Sequence, residues 1–156
     1  MRLVASFFLM SIVLVSCATN DVDSAVQAAK AKASIDSLWT QYAVASDQRD
    51  AAAFERLFTE DATLSFQGTP NYHGGKEIAA MLAARFRDID ATRFRVVPEE
   101  MKASGTLAVQ SGAFERGFIE ADSQKTEYGR YVLVAERGSD NAWRIRRLAG
   151  FADSIK

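Results

Sequence analysis

"QKTEYGRYVLVAERGSDNAWRIRRLAGF", residues 124–151, holds two extended runs rich in Val, Tyr, Ile and Trp on either side of the turn-forming "GSDN". Short polar clusters between such runs mark strand–turn–strand units. The runs predict strands near 126–138 and 142–152. Reading backward, "ADSQ" and "SG" separate two more, near 105–120 and 92–103. Pro98 within the first of these has no amide proton to give a ladder, so it predicts a bulge or an edge strand.

Upstream the period changes. Ile35, Leu38, Trp39, Tyr42 and Ala43 recur at helical spacing and form one apolar stripe. Asp50 is placed to N-cap a short helix, "AAAFERLF", in which Phe54, Leu57 and Phe58 share a face. "EDA" reads as a turn, with Asp61 capping backbone amides there. Ala62, Leu64 and Phe66 then alternate with polar neighbours in a strand. "GTPNYHGG" reads as a loop. A third helix, with Ile78, Met81, Leu82, Phe86 and Ile89 at its spacing, runs from Lys76 to about Asp90. Helices followed by consecutive long strands specify an α+β domain with a mostly antiparallel sheet. Strands this long in a small domain must bend strongly, and a helix held across the concave side leaves a cone-shaped cavity.

The chain of 156 residues suffices for one domain with a real core, and 48% hydrophobic with 25% charged residues is an ordinary globular composition. A net charge of −1 gives no footprint for nucleic acid. The clusters "RFR" (85–87) and "RIRR" (144–147) are offset by acids and read as solvated faces. Residues 1–16 read as an export signal, since the apolar run from Leu3 to Val15 is too short to span a bilayer. Their removal would take out Arg2 and no acid, leaving the chain one unit more negative.

"LVSC", 14–17, resembles the bacterial lipobox, which makes Cys17 the expected lipidation site and residues 17–33 a tether to a domain over 34–156. Cys17 is the only cysteine, so no internal disulfide can form in an oxidising compartment. Several acyl chains would anchor stably at about 0.8 kcal/mol per buried methylene. Ala18, rather than Asp, follows the cysteine; by resemblance to proteobacterial sorting, this implies the outer membrane, facing the periplasm.

The Ile-x-x-Leu-Trp-x-x-Tyr helix, "DQRDAAAFERLFTEDATLSF", a Gly-x-x-x-Ile helix, "GRYVLVAERG" and "AWRIRRLAGF" together resemble the nuclear transport factor 2-like superfamily, in particular its SnoaL-like and ketosteroid-isomerase-like members. The resemblance covers about 34–152. It implies a cystatin-like cone, and a function among isomerases, dehydratases, cyclases and binding modules. Ketosteroid isomerases combine a tyrosine donor, a carboxylate base on the first strand and a protonated acid on a late strand. Tyr42 matches the donor. The position of the base falls on Ser65 or Phe66, and that of the late acid near Tyr128 to Arg130, with no carboxylate in either place.

The resemblance therefore implies a pocket more than a reaction. Trp39, Tyr42, Phe58, Phe66, Tyr131 and Trp143 are its expected wall, with His73 beside the start of the third helix, where "YHGG" would hold an anion. If there is catalysis, Tyr42 with His73 or Glu136 is the candidate acid–base set. Arg130 and Glu136 share parity with Tyr128 and are candidates for a buried pair, a dimer contact or a solvated face. No metal-ligand cluster, phosphate loop or dinucleotide fingerprint is present, so no cofactor is expected. The expected partners are a small apolar molecule in the cone, the membrane through Cys17, and a second copy through the sheet face. Docking of another envelope protein on that face is the remaining reading.

Overall fold

The computed structural model describes residues 16–88, 91–120 and 122–156. Residues 1–15 of the expected export signal and the side chain of Cys17 lie outside the described residues. Three helices and six strands follow in the order α1 (Ser16–Gln48), α2 (Ala51–Leu57), β1 (Phe58–Phe66), β2 (Tyr72–His73), α3 (Gly75–Asp88), β3 (Ala91–Ser104), β4 (Leu107–Glu120), β5 (Ser123–Arg137) and β6 (Trp143–Ile155).

Helix α1 is continuous back through the stretch read as a tether, whose alanines and lysines favour helix. Residues 23–30 are exposed, and burial begins at Ala31. From there Ile35, Leu38, Trp39, Tyr42 and Ala45 face inward. The helix ends at Arg49, which takes a left-handed φ of 55°. The Arg49 amide donates to the Ser46 carbonyl and the Asp50 amide to that of Ala45, closing the last turn. Asp50 then starts α2, its carboxylate accepting from the Ala53 amide at 3.0 Å.

The sheet is mixed, with order β2-β1-β6-β5-β4-β3. Only β1 and β6 run parallel; the other neighbours are antiparallel. The sheet stays open, and the helices cover its concave face in an α+β cone. Pro98 lies at a register shift in β3, and β3 is an edge strand. Gly112 sits opposite Pro98, where an added Cβ would stand 2.3 Å from the Val97 carbonyl oxygen. Only glycine lets the bulged edge approach β4 so closely.

Two local expectations need correction. "EDA" is not a turn: Thr59 to Asp61 lie within β1, where the register with β6 shifts between Phe58 and Thr63. Asp61 accepts a hydrogen bond from the Thr59 hydroxyl at 2.8 Å and stands 3.6 Å from Arg146. That bond is the main reason its carboxyl lies below the usual carboxylate range. The loop "GTPNYHGG" also contains a strand, since Tyr72 and His73 pair with Leu64 and Thr63 of β1.

Candidate functional site

Between the helices and the inner face of the sheet lies a cavity of about 160 Å³. Exposed Gln67, Thr69 and Ala152 border it, while buried Trp39, Tyr42, Leu82, Phe86, Tyr131 and Leu148 form the deeper wall. An engineered apolar cavity of about 150 Å³ holds one benzene. This cone therefore suits a molecule of one small ring or a short chain.

Aromatic packing fixes the wall. The Trp39 ring meets Tyr131 edge-on at 4.9 Å and Tyr42 at 5.6 Å. Tyr42 lies 4.9 Å from Phe94, which stacks on Phe114 at 6.4 Å. Two inward glycines make room for these rings. A Cβ on Gly129 would stand 2.4 Å from the Phe114 ring, and one on Gly150 would stand 3.0 Å from Phe66.

The polar atoms of two wall residues are already engaged. Trp39 Nε1 donates to Gln110 Oε1 at 2.7 Å, and the Tyr131 hydroxyl donates to the same oxygen at 2.8 Å. Gln110 is 1% exposed, so both bonds are shielded from water. Burial also pushes the Tyr131 phenol well above its ordinary pKa. The Tyr42 phenol is raised by burial too, against the opposing pull of Arg116 and Arg85. Both phenols stay protonated at neutral pH.

A charged group that the sequence reading missed sits at the same cavity. Arg116 on β4 and Glu127 on β5 are direct cross-strand partners, 2.5 Å apart, and both are buried. The Arg116 guanidinium lies over Phe118 at 5.7 Å. Arg85, from the cluster read as a solvated face, lines the cavity as well and lies over Phe66 at 5.0 Å. Burial depresses the Arg116 pKa, and the like charge of Arg85 depresses it further, against the pull of Glu127. Strand parity carried the signal. Arg116 alternates with Phe114 and Phe118, and Glu127 shares its face with Tyr131 and Leu133. The late-strand carboxylate thus stands one residue before the window in which it was sought, and it is bound to an arginine.

Of the expected pocket residues, Trp39, Tyr42, Phe66 and Tyr131 line the cone. Phe58, His73 and Trp143 do not. Phe58 is a core residue that reaches a shallow outer groove shared with His73 and Glu55. His73 is exposed; its Nδ1 lies 3.4 Å from the Thr63 hydroxyl, which Arg147 also contacts at 2.5 Å. The anion site expected at "YHGG" meets the chain's own carboxylate, because the His73 amide donates to Glu77 at 3.3 Å. Trp143 lies against Arg137 and lines a groove beside residues 23–34 of α1.

Glu136 points to the outer face, where it accepts from Arg146 at 3.0 Å. Arg130 is also outside, paired with Asp153 at 2.8 Å. Neither His73 nor Glu136 shares the cavity with Tyr42, so the acid–base set expected for catalysis is not assembled. At the position of the base, Phe66 faces the cavity and the Ser65 hydroxyl donates to Asn71 at 2.7 Å.

Comparisons with known proteins agree with this architecture. A family model described as a SnoaL-like domain matches residues 27–149. Among solved structures, an NTF2-like protein with a cystatin-like fold from Novosphingobium aromaticivorans superposes with a TM-score of 0.74 at 17% identity, over 88% of this chain and 91% of that one. A protein from Kribbella flavida gives 0.71 at 20%, over 80% and 92%. LinA gives 0.68 at 16%, over 81% and 88%. At these identities the likeness shows the fold alone. No curated protein matches the chain in sequence.

Proposed function

The chain belongs to the SnoaL-like domain family, and on that premise we propose that it is a binding module that holds one small, largely apolar molecule in its cone without chemistry. The observation that carries this reading is the state of the wall. The cavity is lined by rings, and the polar atoms of Trp39 and Tyr131 are spent on Gln110. A reaction of the isomerase, dehydratase or cyclase type needs a group poised to take a proton. His73 and Glu136 stand outside, and Glu127 is held by Arg116. Trp39 reports occupancy directly. In a Trp143→Phe chain it is the sole indole, and titration with toluene should shift its emission. Unchanged emission at saturating toluene, with benzoate and benzamide equally without effect, would sink the reading.

We further propose that the module is anchored in the bacterial envelope through lipid on Cys17, at the outer membrane and facing the periplasm. Among the described residues no helix is long and apolar enough to cross a membrane. Replacing Cys17 with alanine should abolish lipid labelling; a labelled Cys17→Ala chain would refute the anchor. The outer sheet face supports pairing with a second copy. Val97, Val109, Val132 and Phe151 stand there 38–46% exposed on neighbouring strands. Sedimentation should show a dimer that Val132→Lys dissociates, whereas a monomeric parent would leave that face to another envelope protein.

A further inference from the structure

The guanidiniums of Arg85 and Arg116 set the cone apart from a purely apolar cavity. Their Nε atoms are buried, and neither has a hydrogen-bond acceptor among the described residues. A buried N–H without a partner is costly, and more so on a charged group. Glu127 engages Arg116 through Nη2, and Nε is left without a partner. Two positive charges and one negative charge therefore meet at the cavity, with one positive charge in excess.

The arrangement has the parts of an anion receptor. Each guanidinium is held over a phenyl face, Arg85 on Phe66 and Arg116 on Phe118. Such seating limits the motion of the fork. Arg116 is 9% exposed, so its charge acts where water screens weakly. Tyr42 is close enough for its phenol to feel both cations, and burial keeps it protonated as a third donor. The repulsion between Arg85 and Arg116 would be relieved by a negative group between them.

We infer that the molecule held in the cone is a small carboxylate, with its acid group on Arg85 and Arg116 and its apolar body against Tyr42, Phe94 and Phe114. This deepens the binding reading and rests on it. A planar carboxylate matches the guanidinium fork. A cavity of about 160 Å³ limits the body to one ring or its equivalent.

The test compares benzoate with its neutral isostere benzamide by ligand-observed NMR and calorimetry on the full chain. Benzoate is expected to bind at least about tenfold more tightly, a difference of about 1.4 kcal/mol and within reach of charge-assisted hydrogen bonds. Arg85→Met leaves the Arg116–Glu127 pair intact and should abolish that preference while benzamide affinity stays within about twofold. An Arg146→Met chain, which removes an arginine from the outer face, should keep the preference and controls for the change in net charge. Equal affinity for the two probes, or an unaltered preference in Arg85→Met, would overturn the carboxylate proposal and leave the cavity reading standing. If benzoate, benzamide and toluene all fail to bind, the cavity reading itself falls, and the proposal with it.

Discussion

Arginine–glutamate pairs cross this sheet on both faces. Inside, Arg116 and Glu127 are 2.5 Å apart with side chains 11% and 10% exposed. Outside, Arg146 and Glu136 are 3.0 Å apart with side chains 39% and 36% exposed. The chemistry is the same, but water changes its consequence. On the outer face either partner can fall back on solvent, and Arg146 also has Asp61 within 3.6 Å. Inside, each ion has given up most of its hydration, so its partner becomes indispensable. A pair of this kind does little for net stability and much to fix where a charge stands.

The largest expected effect is therefore on the inner pair. Glu127→Ala would leave Arg116 facing Arg85 with no counter-charge, and chemical denaturation should show a loss of about 3 kcal/mol. A loss below about 1 kcal/mol would mean that solvent reaches the pair and that the two faces do not differ.

That comparison also separates what could be read in the chain from what could not. The strands near 92–103, 105–120, 126–138 and 142–152 were legible because alternation and turn chemistry are local, and β3 to β6 follow them closely. Asp50 as a cap and Pro98 at a bulged edge are local rules too. The wall residues Trp39, Tyr42, Phe66 and Tyr131 followed from helix stripe, strand parity and family resemblance. Arg85 was expected on a solvated face because acids offset its cluster, and Arg116 and Glu127 drew no expectation. The parity of Arg116 with Phe114 and Phe118 placed it inside. Arg85 was obscured by its exposed neighbour Arg87 in the "RFR" cluster. His73, Phe58 and Trp143 were misplaced for a different reason. Their position depends on how β1 pairs with β2 and β6, a long-range register that no local pattern encodes.

Smaller effects sharpen the contrast. Tyr131→Phe removes one of two bonds to the buried Gln110 oxygen and should cost about 1 kcal/mol in the same assay. Replacing the inner pair whole, as Arg116→Met with Glu127→Leu, should stay within about 1 kcal/mol of the parent, because neither ion of the pair is left without the other. If that double variant lost as much as Glu127→Ala, the pair would be a true stabiliser. Outside, Glu136→Ala should change stability by no more than about 0.5 kcal/mol.

The smallest effect is a pH dependence in the turn between β5 and β6. There Arg144 and the Ala142 amide hold the Asp140 carboxyl down at about 2 from an ordinary value of 3.8. The stabilisation from this depressed group is complete above its unfolded value. It is lost as the pH falls from near 4 through about 2. An NMR titration of Asp140 with a midpoint near 4 would show that the bonds to Arg144 and Ala142 do not hold in solution.

The central claim is that the cone holds a small molecule. Native mass spectrometry of the chain, purified gently from the cells that make it, tests this most directly. The account predicts a mass above that of the covalent chain, with the excess lost on denaturation. A chain whose native and denatured masses agree would contradict it.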